Sequence, residues 1–303
     1  SQAFSISPPL IELQSNPGQT IKASIRLTNL SDSALVIKSQ FNDFGAKDET
    51  GEPNIIFDEQ ETTTYSLRHW IVAPAPFTVA PKESKTIDFP ITVPNNAEPG
   101  GHYAVIRFTG SPPELDQSGV TLAASIGSLV LLNVSGEVNE KSDVAEFFAA
   151  TPKFAKNGLF EAGPITLVER IKNDGNVHIK PTGSVEIFNM FGQKVASLRA
   201  NGAPGDAQNP PKSILPNSVR RFDQTWDSGF AFGRYRARME MTYGQNNKPL
   251  FATLTFWVIP YKLIGSVLVA TVVLFFLMRL AIKKYNAHII RKADGQNKDL
   301  RLK

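Results

Sequence analysis

Four histidines, His69, His102, His178 and His288, are the only side chains in this 303-residue sequence whose ordinary pKa lies near neutrality, and they are scattered. None stands in an H-E-x-x-H spacing, and there is no G-x-S-x-G elbow or phosphate-cradling glycine loop. Cysteine is absent, which excludes disulfide scaffolds, zinc ribbons, iron–sulfur clusters and thiol nucleophiles. No pair of carboxylates is marked out as facing across a cleft, as glycoside hydrolysis needs. The sequence therefore predicts a protein that is not an enzyme and takes no cofactor or metal.

Three groups of residues could still do binding chemistry. Arg234, Arg236 and Arg238 alternate along one predicted strand face, with Arg220 and Arg221 on a segment read as its neighbour. Guanidinia on one face repel unless acids or an anionic ligand match them, so this face suits wall phosphates, lipid headgroups or an acidic partner. Pairing with Asp223 and Asp227 is the plainer use. The stretch from Asp43 to Glu61 holds seven acids, among them Asp48, Glu49 and Glu52. Several oxygen ligands in a flexible loop suit a weak calcium or cationic-partner site, but the spacing is not that of an EF-hand and a solvated hairpin loop is the plainer reading.

The third group brackets an apolar run. Leu263–Met278 carries no charge, and extended to Tyr261–Ile282 it gives 22 residues, about 33 Å of helix, against a hydrocarbon core of about 30 Å. Trp257 and Tyr261 are placed as interfacial aromatics, and Lys262 and Arg279 can snorkel to the headgroups. Lys283 and Lys284 open a basic tail, with eight bases and two acids over residues 279–303. The sequence pI of about 9.1 belongs to that tail; the rest is slightly acidic, so nucleic acid is not a predicted partner. By the positive-inside rule the C-terminus is cytoplasmic and the first 258 or so residues lie outside. A start at Ser-Gln-Ala without Met predicts a signal peptide removed upstream. An exported chain without cysteine points to a bacterial surface.

The elements that must carry these groups are strands. Residues 20–29 alternate apolar and polar with period two. Similar runs follow at 34–42, 63–73, 85–93, 102–110 and 119–135, separated by Gly/Pro/Asn turns. The pattern repeats: 164–171 resembles 18–27 in phase, and GHYAVIRFTG at 101–110 resembles GRYRARMEMTYG at 233–244. Tyr235, Ala237, Met239, Met241 and Tyr243 share a predicted inner face, while Phe147, Phe148 and Phe154 are expected to pack between domains or form a patch. The predicted fold is all-β: two tandem immunoglobulin-like sandwiches, 1–137 and 138–258, then a transmembrane helix over 259–282 and a basic tail over 283–303.

Particular stretches carry a family likeness: ISPPLIELQSNPGQ (6–19), PGGHYAVI (99–106), NDGNVHIKPTG (173–183), MFGQKV (190–195), ILPNSVRRF (214–222), FGRYRARMEMTYG (232–244) and FWVIP (256–260). Through them the chain resembles the bacterial WxL-interacting surface proteins, which share the plan of signal peptide, two immunoglobulin-like domains, one span and a basic tail. The resemblance implies peptidoglycan binding by the first domain and capture of a secreted Trp-x-Leu protein by the second. This chain has no Trp-x-Leu of its own, since Trp70, Trp226 and Trp257 are followed by Ile-Val, Asp-Ser and Val-Ile. It would be the anchored receptor. Its opening text is also similar to pilus-chaperone sandwiches. The expectation is a membrane-anchored adaptor for a surface protein or wall polymer; the alternative is an extracytoplasmic assembly factor for pilus or surface-layer subunits.

Overall fold

A computed structural model describes residues 3–58, 60–112 and 124–300. The first sandwich holds β1 (Phe4–Ser7), β2 (Leu10–Ser15), β3 (Thr20–Asn29), β4 (Leu35–Ala46), β5 (Pro53–Ile56), β6 (Phe77–Val79), β7 (Ser84–Thr92), β8 (Gly100–Ser111) and β9 (Ala124–Val134). One sheet runs β1-β3-β7 and the other β2-β9-β8-β4-β5, with β6 beside β4. The second sandwich holds β10 (Ser142–Ala150), β11 (Leu159–Phe160), β12 (Ile165–Asn173), β13 (Thr182–Phe188), β14 (Lys194–Ala200), β15 (Ser218–Trp226), β16 (Gly233–Tyr243) and β17 (Lys248–Val258). Its sheets run β10-β12-β15 and β11-β17-β16-β13-β14.

Both units divide their first strand between the sheets. In the first, β1 pairs antiparallel with β3, the chain crosses at Pro8-Pro9, and β2 pairs parallel with β9. In the second, β10 joins β12 and β11 joins β17 in parallel. That switch, with antiparallel pairing elsewhere, is an immunoglobulin-like arrangement. The alternation in β3 buries Ala23, Ile25 and Leu27 and leaves Lys22, Ser24 and Arg26 in water. They meet Phe89, Ile106, Phe108 and Leu132 in the first core. In the second, Tyr235, Ala237, Met239, Met241 and Tyr243 are buried as the pattern requires. Trp226 sits there against Tyr235 and Phe256, with ring centroids 5.0 and 6.0 Å away.

One polar residue faces that second core. Glu169 shares the side of β12 that carries Leu167 and Ile171, is fully buried, and neither oxygen has a hydrogen bond of good geometry. Burial holds its carboxyl well above the usual carboxylate range; the Gln224 amide beside it offsets this only in part, and the charge of Asp223 adds to it.

Phe147 packs on the second core, Phe148 lies beneath Lys156, and Phe154 stacks on Arg221. The helix α1 (Tyr261–Leu300) runs past Ile282 into the basic tail, in line with the helical continuation expected over Ala281–Lys292. Its segment Tyr261–Ala287 is long and apolar enough to cross a membrane and none of its apolar part is buried in protein. Only Ile259 and Pro260 separate it from β17.

Candidate functional site

β8 is buried on both faces from Gly100 to Ile106. Ala104 and Ile106 enter the first core, while Tyr103 and Val105 point the other way, where Phe44, Leu131 and Leu215 of the second sandwich cover them. The Tyr103 hydroxyl accepts the His178 backbone N–H at 2.8 Å and lies 3.3 Å from His178 Nδ1. The turn before His178 docks as well: Asn176 O accepts the Gly101 N–H at 2.8 Å and Asn176 Nδ2 donates to Pro99 O at 3.1 Å. A Cβ on Gly100, at φ +121°, would stand 2.4 Å from Asn176 O, so the approach needs glycine. Across the seam Arg170 grips Glu49 with two bonds of 2.7 and 2.5 Å, and the Arg221 N–H donates to Glu49 O at 2.7 Å. The two sandwiches are thereby tied at several points over one polar and apolar surface.

His178 is largely buried in this seam, with Glu12 3.7 Å from Nε2. Burial depresses its pKa from 6.5 to about 4, with Glu12 raising it and Lys180 lowering it further. A base depressed on folding adds stability above its unfolded pKa and loses it as pH falls towards the folded value. Acidification from pH 6.5 to 4 is therefore expected to remove about 3 kcal/mol from the seam. His178→Gln, compared by urea unfolding at both pH values, should lack that increment; an unchanged pH response would show the imidazole is not its source.

The described acids of the 43–61 stretch are dispersed among separate partners. Asp43 is fully buried, accepting from Ser66 at 2.7 Å and facing Arg68 at 3.5 Å. Asp48 caps Thr50, Glu49 belongs to Arg170, and Glu52 pairs with Lys47. The Arg170 hydrogen bonds hold the Glu49 carboxyl below its ordinary range. No group of three or more His, Asp or Glu able to hold a metal occurs among the described residues.

The arginines are also divided. Arg234, Arg236 and Arg238 share the outer face of β16; Arg238 pairs with Glu186 and Glu240, and Phe188 lies under Arg236 and Arg238. Arg220 and Arg221 are not beside them, because β15 belongs to the opposite sheet. Arg220 Nη1 donates to Ser213 O at 2.7 Å, its buried Nε has no partner, and it has no ion pair among the described residues. Burial lowers its pKa. It borders a largely apolar interdomain cavity of about 240 Å³, lined by Leu10, Phe44, Leu131, Pro210 and Leu215.

The same cavity is bordered by Leu129 of β9, and β9 has the feature that sequence reasoning missed. β2 covers only Leu129–Val134. Among the described residues, the backbone of Ser125, Ile126 and Gly127 pairs only with β8. Several other strand edges among the described residues are blunted, though the four-residue β1 edge is also uncharged. β5 is four residues with Pro53, β7 carries Lys85, Asp88 and Pro90, β10 has a register shift, β14 carries Lys194 and Arg199, and β15 meets the Glu49 loop. Ser-Ile-Gly-Ser at 125–128 has neither charge nor proline, the one signal legible beforehand. Trp257, Tyr261 and Lys262 cluster where α1 leaves the sandwich, Lys262 reaching Glu161 at 2.5 Å, and Arg279, Lys283 and Lys284 lie along α1.

No family model and no curated protein matches this chain. Among solved structures it is similar to the class 5 fimbriae chaperone CfaA, at 13% identity over 82% of this chain and 98% of that one, with a TM-score of 0.41. The YadV chaperone is 13% identical over 84% and 100%, with a TM-score of 0.39, and the E. coli chaperone DraB is 11% identical over 84% and 95%, with a TM-score of 0.37. The likeness concerns the two-sandwich fold alone.

Proposed function

We propose that this chain is a membrane-anchored, non-enzymatic binding protein of the bacterial surface that holds an extended segment of an extracytoplasmic protein as an added strand on β9. The observation that carries this is the uncharged, proline-free edge at Ser125–Gly127, which among the described residues pairs only with β8. α1 supplies the anchor, and the basic residues from Arg279 onward favour a cytoplasmic C-terminus. A partner kept in place makes the chain an adaptor, and the WxL resemblance makes a Trp-x-Leu surface protein the first partner to seek. A client passed on makes it an assembly factor; this second reading is favoured by the same open edge.

Hydrogen exchange of the full chain in detergent, before and after capture of a partner from an envelope extract, tests the proposal. The amides of 125–128 should slow by about tenfold or more on capture. Protection confined to other strands, or recovery of wall polymer alone, would overturn strand addition.

A further inference from the structure

The end of the second sandwich from which α1 departs carries an apolar surface that the anchored reading does not by itself require. Gly233 pairs with Val258, so the β15–β16 loop, residues 227–232, projects beyond β16 at the end where β17 hands over to α1. In that loop Phe230 is 83% and Phe232 53% exposed. The β13–β14 turn reaches the same level: a Cβ on Gly233 would meet Met190 Cε, so Met190 packs beneath it. At the tip of this turn Phe191 is 80% exposed. The turn is preformed rather than slack. Asn189 Oδ1 accepts the N–H groups of Phe191 and Gln193, each at 3.0 Å, and Gly192 N–H donates to Asn189 O at 3.0 Å. Trp257, 47% exposed on β17, completes the set.

Exposed phenylalanines at two adjacent loop tips mark an interaction surface. Its position names the occupant. Tyr261 begins a helix fit to span the bilayer three residues past Val258, so these tips face the same membrane surface. The charges agree. Arg234 and Arg236, which have no ion pair among the described residues, lie one and three positions up β16 from Gly233, about 3 and 10 Å at the strand rise. That brackets a headgroup layer of about 5–8 Å. Glu161 is offset by Lys262 and Glu186 by Lys194 and Arg238, while Asp227, at the β15 end of the loop and without an ion pair among the described residues, accepts the Gly229 N–H.

We infer that Phe191, Phe230 and Phe232 insert into the outer-leaflet interface beside α1, with Arg234 and Arg236 on lipid phosphates. The ectodomain is then seated on the bilayer at three points instead of swinging from one helix. This rests on the reading of α1 as a span. The cysteine-free sequence makes single-site labelling direct. Phe191→Cys, Phe230→Cys, Val72→Cys on the first sandwich and Leu274→Cys within the span are each labelled with an environment-sensitive nitrobenzoxadiazole dye. The full chain is placed in nanodiscs of phosphatidylcholine and phosphatidylglycerol. Dyes at 191 and 230 should be quenched by nitroxide-labelled lipid, as at 274, and resist aqueous iodide several-fold better than at 72. If they follow position 72, the loops lie in water. If neither quencher reaches them, a second copy or a protein partner covers them. Either result overturns the inference while leaving the span intact. Failure of lipid to quench at 274 would instead remove the anchored reading and the inference with it.

Discussion

Glu169→Gln should abolish a pH dependence in which the second sandwich of the parent chain loses stability as pH rises. The unfolded carboxyl ionises near 4.5, whereas burial holds the folded one protonated well above that value. Above pH 4.5 the unfolded state therefore binds fewer protons than the folded state, and the unfolding free energy falls by about 1.4 kcal/mol per pH unit until the folded group also ionises. The fall stops only where the folded carboxyl itself ionises, and it is the second sandwich that carries it. Glutamine keeps the shape and the polarity but cannot ionise. Urea titrations of both forms, followed by fluorescence with Trp226 reporting from the second core, check this. Equal pH slopes in the two forms would show that Glu169 is already charged in the folded protein.

Tyr103→Ala should cost about 3–5 kcal/mol, the range for truncating a buried aromatic, and should split one unfolding transition into two. Tyr103 is 2% exposed, its ring lies 5.7–6.3 Å from those of Phe44, Tyr65 and His178, and its hydroxyl satisfies the His178 N–H. The side chain thus belongs to the covering layer of the first sandwich and to the seam at once. Tyr103→Phe separates the two contributions, because it keeps the ring and strands only the His178 N–H, for about 1–3 kcal/mol. Calorimetry of the full chain in detergent would register both. A single transition retained in Tyr103→Ala would place the coupling of the sandwiches elsewhere, with Glu49 and Arg170 the next pair to vary.

How much of this was legible depends on the range of the interactions involved. The period-two text of β3 and β16 announces which residues are buried, because a strand needs only its own alternation to choose a face. The apolar run of α1 was legible for the same reason, and so was its continuation: Ala281–Lys292 contains no proline or glycine to stop a helix where the apolar character fades. Glu49 read as one acid among seven, yet its partner Arg170 is 121 residues away and no local pattern connects them. Arg220 and Arg221 are neighbours in sequence and point to opposite sides of β15, so treating them as one basic patch with β16 failed twice: once on side and once on sheet. The open half of β9 was invisible because it is defined by where β2 begins to pair, in another part of the chain.

The two-residue join between β17 and α1 makes the protein a poor hinge and a good strut. β17 lies inside its sheet, with β11 on one side and eleven register pairs to β16 on the other. If α1 is anchored in a bilayer as proposed, tension between it and a partner of the first sandwich would enter along the axis of β17 and load that ladder in shear, all rungs together. The seam at Tyr103 and Glu49 carries the load onward through side chains rather than through the slack of a linker. Such an attachment would be stiff, because a rung-by-rung peeling of β17 is not open to a force applied along its axis.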